Sequence, residues 1–124
     1  MPQKGNVMLA MQVIANAEDV EEGERLFAEH AKFMERTHHQ SGEFEMISYN
    51  VACSPEFKDP LVPDLVPTGR KIFLMVEIYD SEAGVAEHWR IGKREWPEFG
   101  EMMAWIEKCN LTILHGSEII QSLW

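Results

Sequence analysis

Val76-Glu77-Ile78-Tyr79-Asp80-Ser81-Glu82-Ala83-Gly84-Val85-Ala86-Glu87-His88-Trp89 reads as a strand that runs directly into a helix. The strand begins at Lys71 and ends at Tyr79. Ile72, Leu74, Val76 and Ile78 make one clean apolar face, and Phe73, Met75, Glu77 and Tyr79 make the other. Alternation with period two is the mark of a strand. Ser81 stands where a helix N-cap is needed, and Glu82 to about Arg90 is predicted helical. His88 lies two turns into that helix.

Upstream, Val7 to Ala15 is almost continuously apolar on both faces. Such a strand is covered on both sides. The chain's own helices supply one cover, and a partner subunit is the simple choice for the other. Asn16 fits a helix N-cap, with Asp19 in a capping-box-like position. The predicted helix runs to about His39. Val20, Gly23, Phe27, Ala31 and Met34 form its apolar stripe, widened by Leu26, His30 and Phe33. Its early glutamates suit the positive helix end, His38 and His39 suit the negative end, and Gly42 is the expected stop. Phe44 to Cys53 is the next strand, with Glu45, Ile47, Tyr49 and Val51 on one face and Phe44, Met46, Ser48 and Asn50 on the other. Ser54 to Arg70 contains Pro55, Pro60, Pro63, Pro67 and Gly69, so a stiff loop or cavity lid is expected there instead of a regular element.

Downstream, Pro97 suits the first position of a further helical segment ending near Lys108. Trp96, Phe99, Met102, Met103 and Ile106 supply its apolar side. Leu111 to Ile120 is the last strand. The order β-α-β-β-α-β predicts one α+β domain over residues 1–124, a ferredoxin-like unit with both helices on one face of a four-stranded antiparallel sheet. The other face carries too many apolar groups to stay wet. Two such sheets packed face to face make a dimeric α+β barrel, so a homodimer is expected.

The chain has 124 residues and a net charge of −10, from 11 basic and 21 acidic side chains. That balance repels nucleic acid and anionic membranes, and neither is an expected partner. No apolar stretch approaches the roughly 20 residues of a membrane span. Lys4 and the Val7–Ala15 run loosely mimic a signal peptide, but Gln12 interrupts the run and a first strand is the better reading. Cys53 and Cys109 sit in no CxxC motif and are expected to be buried, reduced thiols of a cytoplasmic protein.

The segment from Val76 to Trp89, with weaker support from Leu111-Thr112-Ile113-Leu114, resembles the antibiotic biosynthesis monooxygenase family and its quinol monooxygenase relatives. The resemblance covers most of the chain at the level of element order. It implies a dimeric α+β barrel whose apolar cavity binds a small aromatic or quinol-like compound. It also implies a monooxygenase that uses no flavin or metal cofactor. His88 is then the general base, since an imidazole accepts a phenolic proton near neutral pH. Related sequences often carry a second histidine in a Ser/Thr-Pro-His-Phe turn. Here the residues after His88 are Trp89-Arg90-Ile91-Gly92-Lys93-Arg94-Glu95-Trp96-Pro97-Glu98-Phe99, and that histidine is absent.

The residues themselves add a candidate site. Trp89, Trp96 and Trp105 either shape a flat apolar cavity or serve as core and dimer contacts. Tyr49 and Tyr79 are candidates to direct hydroxyls into the same space. Asn50, Ser48, Gln12 and Glu77 are polar groups on apolar strands, which orient a substrate or satisfy one another. Glu77, inside a barrel, would have a raised pKa. His30 and His38 are eight residues apart and His39 diverges from His38, so helical spacing offers no metal set. Two other functions fit the same fold: a non-enzymatic small-ligand binding or stress-response dimer, and a haem-binding or haem-degrading protein. Asn16, Trp89 and His88 supply the residue types of the latter. Phosphate loops, dinucleotide fingerprints and nucleophile elbows are absent.

Overall fold

The computed structural model describes residues 4–62 and 65–123; Pro63 of the proline-rich segment lies outside them. Strand β1 (Val7–Ala15) leads through a 3-10 turn (Ala17–Asp19) into helix α1 (Val20–Thr37). Strands β2 (Met46–Phe57) and β3 (Pro67–Tyr79) follow, then helices α2 (Glu82–Glu95) and α3 (Phe99–Glu107), then strand β4 (Asn110–Glu118). All neighbouring strands are antiparallel, in the order β2-β3-β1-β4. This is an α+β arrangement compatible with a ferredoxin-like fold. Among the described residues, no helix is long and apolar enough to cross a membrane.

The register builds the covered face in rows. Tyr49, Glu77, Leu9 and His115 align across the four strands, and Val51, Met75, Met11 and Ile113 form the next row. Leu9, Met11, Val13, Ala15, Phe73 and Met75 are buried there beneath Leu26, Phe27 and Phe33 of α1, as the stripe on that helix requires. Trp105 of α3 is fully buried. Its ring meets Phe27 and Phe73 edge-on at 5.8 and 5.6 Å, and its indole N–H donates to the Asp19 carbonyl at 2.8 Å. Two glycines permit the close helix contacts. A Cβ on Gly23 would collide with the Trp105 ring, and one on Gly84 would come within 2.7 Å of Tyr79. The residue types at these positions follow from space and not from backbone dihedrals.

Several boundaries depart from expectation for physical reasons. Pro55 and Pro67 lie inside β2 and β3, so the strands extend into the predicted loop and leave only a short connection around Asp59–Val66. Strand β2 is a sheet edge, where a missing N–H costs no ladder bond, and Pro67 opens its strand. A bulge between Met46 and Ser48 turns Met46 onto the covered face against Tyr79. The side chains of Asn16 and Ser81 make no cap bond; the Asn16 carbonyl accepts from Asp19 N–H at 2.9 Å, and the Ser81 hydroxyl donates to the Glu43 carbonyl at 3.1 Å. Pro97 sits in the turn before α3 instead of at its first position, and α2 runs on to Glu95. Helix α1 stops at Thr37, and His38 turns extended as its C-cap. Cys53 is exposed and Cys109 half-buried, both free thiols.

Among the described residues, no helix lies on the second face of the sheet. Ala10, Ile14, Ile72, Leu74, Val76, Ile78 and Leu114 share it with Gln12, Ser48, Asn50 and Thr112. Leu74 and Leu114 are 42% and 47% exposed, although they sit in regular strands.

Candidate functional site

Four elements and one helix cap converge on one buried polar cluster. Helix α1 contributes His30, strand β3 contributes Glu77 and Tyr79, and helix α2 contributes His88. His38 reaches the same place because its backbone leaves the helix at φ −88° and ψ 148°, swinging the ring toward α2. Tyr49 arrives from β2, directly across from Glu77 in the register. Helical spacing hid this gathering, since no two of the converging groups rely on i,i+4 neighbours.

The hydrogen bonds fix where protons sit. The Thr37 hydroxyl donates to the Phe33 carbonyl at 2.7 Å, so its oxygen is left to accept from His38 Nδ1–H at 3.0 Å. His38 Nε2 is then a bare acceptor, and His88 Nδ1–H donates to it at 2.9 Å. A backbone carbonyl thus sets two tautomers in sequence, and His88 keeps its lone pair on Nε2. His30 Nδ1 pairs with the Tyr49 hydroxyl at 2.8 Å. The Tyr79 hydroxyl donates to Glu77 Oε1 at 2.5 Å, and His88 Nδ1 stands 3.4 Å from that oxygen. Glu77 Oε2 and the Trp96 indole N–H are buried with no partner.

Burial governs the charges. It lowers the His88 pKa to about 3, reinforced by His38 and His30, and lowers that of His30 to about 4, reinforced by His38. His38 falls to about 4, through burial and then His39, with Glu87 opposing. Burial pushes Glu77 up to about 8 against the opposing Tyr79 hydrogen bond, the direction an enclosed carboxylate takes. Both tyrosines are raised, first by burial and then by Glu77. Burial thus favours the neutral form of each of these groups.

Beside the cluster lies a cavity of about 40 Å³. His30, His88, Trp89 and Trp96 line it on one side, and Phe99, Met102 and Met103 of α3 on the other. Its walls are otherwise apolar. A volume of this size holds dioxygen or a few waters. An aromatic ring enters only when the α3 wall moves aside, which flexible methionines permit.

Of the residues expected at a site, His88, Glu77, Tyr49, Tyr79 and Trp96 are brought together, and Trp89 borders the cavity while its ring meets His115 at 5.9 Å. Trp96 packs edge-on against His30 at 5.0 Å. Asn50 is not brought in: it is exposed and faces away from the helices with Val76. Trp105 belongs to the core instead of the cavity, and Asn16 is exposed at the end of β1. His30 and His38 are the members that sequence reasoning set aside, and no local pattern marks them. Comparison of the chain with protein-family models, curated proteins and solved structures returns no match.

Proposed function

We propose that the protein is a monooxygenase acting on a small aromatic or quinol-like compound, with His88 as the base. The observation that carries the reading is the bare Nε2 of His88, left unprotonated by the His38–Thr37 chain on a ring that lines an apolar cavity. In this scheme His88 Nε2 takes the phenolic proton, as a base weakened by the burial that lowers its pKa to about 3. The substrate anion supplies the electrons, one oxygen atom enters the ring as a quinone carbonyl and the other leaves as water, so no flavin is drawn upon. Tyr49, Glu77 and Tyr79 stand behind the cavity lining and position the two imidazoles, and apolar walls exclude water. Oxygen uptake with a panel of quinols and hydroxyarenes is the test. His88→Gln should slow uptake by about 10²–10⁴-fold, the usual size of a general-base contribution. Unchanged uptake in that variant overturns the base assignment, and no uptake across the panel overturns the oxygenase reading.

The same reading includes a homodimer formed through the open sheet face, giving a barrel of two sheets. The exposed Leu74 and Leu114 on regular strands support it, because an apolar strand face without a cover is a mark of an interaction surface. The mass in solution by light scattering should be twice 14.3 kDa.

A second reading, a non-enzymatic dimer that binds a small apolar ligand, is favoured by the cavity's volume of about 40 Å³, too little for a ring as folded. Ligand-induced thermal stabilisation without oxygen uptake would select it.

A further inference from the structure

We infer that His30, Glu77 and His88 form a mononuclear site for a divalent transition-metal ion. One ligand atom from each lies within 4.8 Å of the others, and all three residues are buried. Metal–ligand bonds of about 2.1 Å place neighbouring donors roughly 3.0–3.5 Å apart. His88 approaches Glu77 here through Nδ1 and Oε1 at 3.4 Å, both already hydrogen-bonded, so the free atoms close on an ion by side-chain rotation. Two imidazoles and one carboxylate are the donor set of zinc and non-haem iron(II) sites.

Each donor residue also carries a supporting hydrogen bond through one polar atom and keeps another free. His30 is held by Tyr49 through Nδ1, His88 by His38 through Nδ1, and Glu77 by Tyr79 through Oε1. Among the described residues, no hydrogen bond engages Nε2 of either ring, and Glu77 Oε2 has no partner at all. Outer partners of this kind fix ring orientation and tautomer in metal sites. The unpartnered carboxylate oxygen is the independent sign: a fully buried oxygen without a hydrogen bond is costly unless something occupies it. The rest of the surroundings fits an ion that keeps an open position, since the cavity beside the three residues gives a substrate or oxygen access to it. The inference uses the same Nε2 lone pair as the base assignment, so an ion bound there replaces His88 as the base, and it departs from the metal-free pocket that helical spacing led us to expect.

The test uses the full chain freed of metal and titrated with Co²⁺, whose visible bands report its ligand field. One equivalent per chain, with bands of a low-coordinate nitrogen–oxygen set and displacement by Zn²⁺, is expected. Glu77→Gln and His30→Gln should weaken binding at least about a hundredfold, and Tyr79→Phe, which removes only an outer partner, by roughly 10–100-fold. A His39→Ala/His115→Ala variant, lacking the two histidines outside the cluster, should bind as the wild type does. No saturable binding by the folded wild-type chain overturns the inference. So does binding unchanged in folded Glu77→Gln, or lost with the outlying histidines. If the cluster variants fail to fold, the wild-type stoichiometry and spectrum decide alone. Binding is read without turnover, so failure here leaves the oxygenase reading standing, and an inactive protein leaves the metal site standing.

Discussion

The two faces of one sheet follow the same alternation and end in opposite situations. On the covered face, Glu77 is fully buried in a polar cluster, with one oxygen bonded to Tyr79 and the other unpartnered. On the other face, Leu74 and Leu114 stand nearly half exposed in regular strands. Each is the wrong residue type for its surroundings in an isolated chain. A carboxyl kept inside at an energetic cost, and leucines kept outside, are the two features that the proposed bound species and the proposed second sheet would each account for.

The comparison breaks most severely at the covered face. Trp105→Ala removes the ring that Phe27, Phe73 and Gly23 enclose and should cost about 3–5 kcal/mol of stability, measured by urea unfolding. A smaller loss would mean that α3 collapses onto the sheet and that the packing around Gly23 is not a fixed constraint. Leu74→Glu sharpens the other half. On the open face it should leave the fold of the single chain within about 0.5 kcal/mol of wild type while halving the solution mass. A variant of unchanged mass would move the subunit contact elsewhere. The smallest effect belongs to neither face. Arg70 grips Glu56 through paired hydrogen bonds at 2.7 and 2.9 Å across the β2–β3 hairpin, and this interaction holds the Glu56 pKa below its ordinary 4.5. A lowered carboxylate pKa contributes stability above the unfolded value, lost as pH falls through the folded one. The difference in melting temperature between wild type and Arg70→Ala should therefore be slight at pH 7 and shrink as pH falls below 4.5. A difference that grows in acid would show that the pair does not act through charge.

Much of the fold was legible because it rests on short-range rules. The bounds of Val7–Ala15 as a strand, the α1 stripe from Gly23 to Met34, and the two faces of β3 all follow from periodicity. Glu77 was legible too, as a carboxylate on an otherwise apolar strand. The prolines misled because position in the sheet, not residue type, decides whether a missing N–H matters. Pro55 is tolerated only because β2 is an edge, and sheet order is a long-range property.

The sequence by itself determined the elements, their order, the apolar character of both sheet faces, and the presence of His88 and Glu77 on neighbouring elements. Only the tertiary structure decided that His30 and His38 join them. That convergence depends on how α1 and α2 lie across β3 and on one extended residue at a helix end, and neither leaves a periodic trace in the chain.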